Sequence, residues 1–155
     1  MKTQKQWFDE YAISHQNKTN QLIHYFCVPA IFFSIVGLVM SIPSTFISNL
    51  FNISNPIIEN WAAIILIALL FFYIKLSYTT FIKMLFFSLL CLIGNYYLSI
   101  IAPLLYTSLI IFVVAWIGQF YGHKLEGKKP SFFKDLQFLL IGPAWVFEKI
   151  SKKQI

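Results

Sequence analysis

LLYTSLIIFVVAWIGQFYGHKLEG, residues 104–127, is the stretch whose reading decides the fold. From Leu104 to Phe120 no side chain is charged. That length is close to the roughly 20 apolar residues needed to cross a hydrocarbon core about 30 Å thick. The run then meets Gly122, His123, Lys124, Glu126 and Gly127 and turns polar. It reads as a membrane span with reactive side chains gathered at one end.

Working outward, three more apolar runs have similar length, at residues 25–42, 56–74 and 84–101, and Glu59 is the one charged side chain among them. The expected fold is all-α: an integral membrane four-helix bundle forming one domain over 1–155. Residues around Trp7 to Tyr11 predict an N-terminal amphipathic helix, with Trp7, Tyr11 and His15 recurring every four positions on one face. The polar run Asn17-Lys18-Thr19-Asn20 ends that helix. A last apolar stretch, Leu136 to Phe147, is too short to cross and is interrupted by Gly142-Pro143. It predicts a re-entrant or interfacial helical segment over 134–150.

Composition supports lipid as part of the solvent. The chain is 58% hydrophobic and 12% charged, against about 25% charged in ordinary soluble domains. Net charge is +6, yet all the basic side chains are lysines and none is arginine. A nucleic-acid partner is not expected, because such proteins lean on arginine forks and a basic face. Cys27 and Cys91 sit singly in apolar runs and form no metal or redox motif. Residues 1–22 do not read as a signal peptide. Lysines cluster before the first span, around the second loop at Lys75 and Lys83, and after the fourth span, while Ser41 to Asn60 has none. The positive-inside rule then predicts a multi-pass protein with both termini cytoplasmic, in a bacterial inner membrane or, in a eukaryote, the endoplasmic reticulum.

The three histidines are His15, His24 and His123. With an even number of crossings, His24 at the start of the first span and His123 past the end of the fourth lie at the same membrane depth. His15 joins them only if the chain bends between residues 15 and 24, since nine residues on one helix place the two about half a turn apart. Gln119, His123 and Glu126 are spaced four and three apart and share one helix face. Asn20 stands one turn before His24. Gly118 and Gly122 leave room for a second helix to approach. A single histidine at a membrane boundary is ordinarily a solvated residue. Three of three at one face, each near an amide or carboxylate, suit a divalent metal, and spacing alone leaves Fe, Zn, Cu and Ni open. Trp7, Trp61, Trp116 and Trp145 read as interfacial anchors.

These blocks resemble a known family. His15-Gln16-Asn17 with Asn20, His24 and Pro29, then Trp116-Ile117-Gly118-Gln119-Phe120-Tyr121-Gly122-His123-Lys124-Leu125-Glu126-Gly127, then Gly142-Pro143 and Glu148, are similar to the fungal and bacterial 2-hydroxy fatty acid dioxygenases, small multi-span membrane proteins. The resemblance implies an Fe(2+)-dependent enzyme of fatty acid α-oxidation that shortens a long-chain 2-hydroxy fatty acid by one carbon with O2, releasing CO2. It implies His15, His24 and His123 as metal ligands. Glu126 is read beside them as catalytic, either binding the metal or, with Asn20 and Gln119, orienting the rings. Lys124 or Lys128 would attract the acid headgroup, and the acyl chain would lie among the spans or membrane lipids. The reaction balances without a further reductant: 2-hydroxy acid and O2 give the shortened acid, CO2 and water. Competing readings are a membrane zinc hydrolase on the same histidines, a haem protein using His24 and His123, and a transporter. A di-iron desaturase is excluded, because it needs many more histidines.

Overall fold

The computed structural model describes residues 2–51, 55–127 and 132–152, and every regular element among them is an α-helix. The helices are α1 (Gln4–Ile13), α2 (Lys18–Met40), α3 (Thr45–Phe51), α4 (Trp61–Leu76), α5 (Tyr78–Ile101), α6 (Leu104–Leu125) and α7 (Phe132–Lys152). Three of them, α2, α5 and α6, are long and apolar enough to cross a membrane. The second expected span, residues 56–74, is shorter than its sequence suggests. Residues 56–60 form turns, and α4 begins only at Trp61, where Asn60 caps it by accepting from the Ala63 N–H at 3.0 Å. Large apolar side chains remain exposed along these helices, among them Phe26, Phe71, Ile100 and Ile110, as expected where lipid replaces water.

Two compact units divide the chain, Met1–Phe32 with Val113–Ile155, and Phe33–Phe112. In the second unit α4 packs against α5. Ser77 alone separates them, ending α4 through its N–H to the Tyr73 carbonyl at 3.0 Å and capping α5 by accepting from the Thr80 N–H at 3.3 Å. The loop expected between Lys75 and Lys83 therefore shrinks to one residue, and Lys83 lies inside α5. Asn95 is fully buried and ties α5 to α2, donating to the carbonyls of Phe33 at 3.0 Å and Cys91 at 2.9 Å. A Cβ added at Gly37 would overlap Asn95 Oδ1 and Ser108 Oγ. Gly37→Ala is therefore expected to destabilise this unit by about 1–3 kcal/mol, the ordinary penalty of overpacking. A lowered thermal midpoint in detergent checks it.

In the first unit a capping box starts α1: Thr3 Oγ1 accepts from the Gln6 N–H at 3.3 Å, and Gln6 Oε1 accepts from the Thr3 N–H at 2.8 Å. The helix stops at Ile13, before His15. Asn17 starts α2 by accepting from the Thr19 N–H at 2.8 Å, so the bend lies at residues 14–17. The sequence reading of α7 needs correction. Gly142-Pro143 does not interrupt it, and one helix runs through both residues. Ile141 to Val146 are all buried, which no helix lying on a surface by one face achieves. Gly142 is there for close approach, since a Cβ on it would lie 3.0 Å from Val28 Cγ1 and 3.2 Å from Tyr11 Oη. Pro143 removes one hydrogen bond without ending the helix.

Candidate metal centre

The first unit gathers the three histidines. His15 comes from the bend after α1, His24 from the second turn of α2, and His123 from the last turn of α6. Ring centroids lie 4.3 Å apart for His15 and His24, 5.0 Å for His24 and His123, and 5.4 Å for His15 and His123. One nitrogen from each ring falls within 4.8 Å of the others, and all three side chains are buried. They border a cavity of about 20 Å³ lined also by Tyr11, Val28, Trp116, Gln119, Phe138 and Leu139. That volume holds about one water-sized group.

Hydrogen bonding sets which nitrogens face inward. His15 Nδ1 lies 2.6 Å from the Tyr11 carbonyl, and His24 Nδ1 lies 2.9 Å from the Asn20 carbonyl. A carbonyl only accepts, so each Nδ1 carries the proton and donates. Each Nε2 is then left with a lone pair. This is the tautomer that a metal ion requires, held by the usual device of a carbonyl behind the ring. Tyr11 also stacks on His15 with centroids 4.0 Å apart and planes 3° from parallel. Trp145 closes the wall, 4.9 Å from Tyr11 and 5.7 Å from His15. Gln119 is buried with its side chain against the His24 ring.

Glu126 faces away from the cavity. Its Oε1 accepts from the Gln16 N–H at 2.7 Å, and its Oε2 from the Asn17 N–H at 2.9 Å and Asn20 Nδ2 at 3.0 Å. The carboxylate from the end of α6 thus clasps the bend that carries His15. Burial pushes its carboxyl up, but the Asn17, Asn20 and Gln16 donors outweigh this. The net effect holds it below the usual carboxylate range. Asn20 differs from its sequence reading too: its main-chain carbonyl meets His24, while its amide serves Glu126 and the Ser14 carbonyl. Small residues permit this closeness. A Cβ at Gly118 would lie 2.6 Å from Cys27 Sγ, and one at Gly122 would overlap Asn20 Oδ1. Gly127, at φ 69°, ends α6 in the left-handed region that glycine occupies freely.

A family model described as 2-hydroxy-palmitic acid dioxygenase Mpo1-like matches residues 1–154. The chain belongs to this family. No curated protein and no solved structure matches it. As an Mpo1-like protein it is a multi-pass membrane enzyme, a metal-dependent oxidoreductase of the 2-hydroxy fatty acid dioxygenase class. The residues present fit a divalent metal: three buried imidazoles converge, and two have their outer nitrogens committed to carbonyls.

Several residues of the dioxygenase's site differ from their sequence readings. Trp145 is 2% exposed and forms a wall of the site, and Trp116 lines the cavity, so neither is a simple interfacial anchor. Tyr11, Val28, Phe138 and Leu139 carried no functional signal in the sequence beyond the shared face of Tyr11 and His15. Lys124 is exposed and does not line the cavity. Lys128 lies outside the described residues.

Proposed function

We propose that His15, His24 and His123 together hold one iron(II), and that the enzyme uses it with O2 to shorten long-chain 2-hydroxy fatty acids by one carbon. The observation that carries this reading is the convergence of three buried imidazoles on one small cavity, with lone pairs facing inward on His15 and His24. Bound there, the metal would supply a site for the substrate's carboxylate and 2-hydroxyl and would activate O2. The protein's own part is positioning. The Tyr11 and Asn20 carbonyls fix two ring orientations, Tyr11 stacking holds His15 flat, and Glu126 keeps the bend closed. Phe138, Leu139, Val28 and Trp116 exclude bulk water around the reacting carbons.

The same convergence supports a four-crossing topology. His24 and His123 meet only if the chain crosses the bilayer an even number of times between them. With α2, α5 and α6 crossing, α4 must cross as well, although its 16 residues span only about 24 Å. Local thinning of the bilayer or snorkelling of flanking side chains absorbs the shortfall. Both termini then share the lysine-rich cytoplasmic side, where Lys124 and Lys128 raise the local concentration of acid headgroups.

Purified protein loaded anaerobically with iron(II), then given 2-hydroxyhexadecanoate and O2, tests the proposal. Pentadecanoate and CO2 in equal amounts, with one O2 consumed per acid, is the expected result. Stoichiometric zinc with no oxygen uptake would overturn it in favour of a hydrolase.

A further inference from the structure

Pro143 lies inside α7 and is fully buried. Its nitrogen bears no hydrogen, so the bond that would run from residue 143 to the Leu139 carbonyl cannot form. Leu139 is one of the residues lining the cavity beside the three imidazoles. The same turn of helix is pressed against two other lining residues, because Gly142 approaches both Val28 and Tyr11. The missing donor therefore falls at the turn of α7 that borders the site. In a low-dielectric interior a carbonyl deprived of its helical partner calls for another donor, and prolines persist in such helices where another group takes over.

We propose that the Leu139 carbonyl oxygen accepts a hydrogen bond from the 2-hydroxyl of the fatty acid, and that Pro143 keeps it available. This inference rests on the reading of the cavity as the site for a 2-hydroxy acid, and names the group that recognises the hydroxyl. A neutral carbonyl accepts from an O–H but offers nothing to a carboxylate. It therefore distinguishes a 2-hydroxy acid from the plain acid of equal length, which has no donor at carbon 2. One neutral hydrogen bond corresponds to about a three- to tenfold difference in affinity.

Pro143→Ala and Pro143→Val both restore an N–H able to close on Leu139, and valine keeps most of the ring's volume. Binding of 2-hydroxyhexadecanoate and of hexadecanoate to metal-free protein is measured by displacement of a fluorescent fatty acid. Wild type is expected to prefer the hydroxy acid about three- to tenfold, and both variants to lose that preference while binding hexadecanoate as before. In iron-loaded protein the KM for the hydroxy acid rises by the same factor with kcat retained. A proline with only a packing role would weaken both acids alike. Undiminished preference in both variants, or no preference in wild type, overturns the proposal. Failure of the dioxygenase reading looks different: iron-loaded wild type would release no pentadecanoate, and the proposal would fall with it.

Discussion

His24→Ala is expected to lower chain-shortening activity by at least about 100-fold and to abolish retention of iron through gel filtration. His24 stands between the other two imidazoles and is held from behind. It is fully buried, its Nδ1 is tied to the Asn20 carbonyl at 2.9 Å, and both other rings stand within about one ring width of it, at 4.3 and 5.0 Å. Removing it leaves two donors from different elements, too few to hold a labile divalent ion against chelating buffer. Groups that merely orient a ligand typically account for 10- to 100-fold in metal affinity, so loss of the ligand itself exceeds that. The cavity left behind costs packing as well, so circular dichroism must show a retained helical fold before the kinetic loss is read as loss of metal. Full iron content and turnover in a folded His24→Ala protein would remove His24 from the centre.

The second large effect is expected at Glu126. Its carboxylate accepts three charge-assisted hydrogen bonds, from the Gln16 and Asn17 N–H groups of the bend that carries His15 at 2.7 and 2.9 Å and from Asn20 Nδ2 in the first turn of α2 at 3.0 Å. Glu126→Gln keeps the shape but turns one acceptor oxygen into an amide that faces N–H donors. Each hydrogen bond to a charged group is worth roughly 1.5–3 kcal/mol, discounted here because the group is partly solvated. Iron affinity is expected to fall about 10- to 100-fold, with kcat at saturating iron much less affected, because the glutamate acts through the position of His15. Equal loss of kcat at saturating iron would instead make Glu126 part of the chemistry. The pH dependence has a definite sign. The folded carboxyl sits below its ordinary value, so the clasp contributes fully above the unfolded value of about 4.3 and is lost as pH falls through the lower folded one. Glu126→Gln should remove that acid-side loss of stability while leaving the neutral range flat, as read by thermal midpoints between pH 3 and 7.

Much of this was legible in the sequence because it depends on order and periodicity. The apolar runs marked the membrane helices, and the spacing of Gln119, His123 and Glu126 put three polar groups on the end of α6. The Asn17 to Asn20 run marked the bend that lets His15 meet His24. What was not legible depends on contacts between distant elements. Nothing local in Trp145 tells whether it faces headgroups or Tyr11, and Gly142-Pro143 reads as a break until Val28 and Tyr11 are found against Gly142. Glu126 is ambiguous for the same reason: its spacing from His123 suggests a ligand, but its partners are the Gln16 and Asn17 N–H groups and the Asn20 amide, more than 100 residues earlier. The short α4 reflects a capping residue, Asn60, that hydropathy does not weigh.

Anaerobic titration of metal-free protein with iron(II) tests the central claim most directly, with wild type compared against the triple replacement of His15, His24 and His123 by alanine. Saturation at one iron per chain in wild type, and none retained in the triple variant, is the predicted result. An unchanged iron stoichiometry when all three imidazoles are gone would contradict the account.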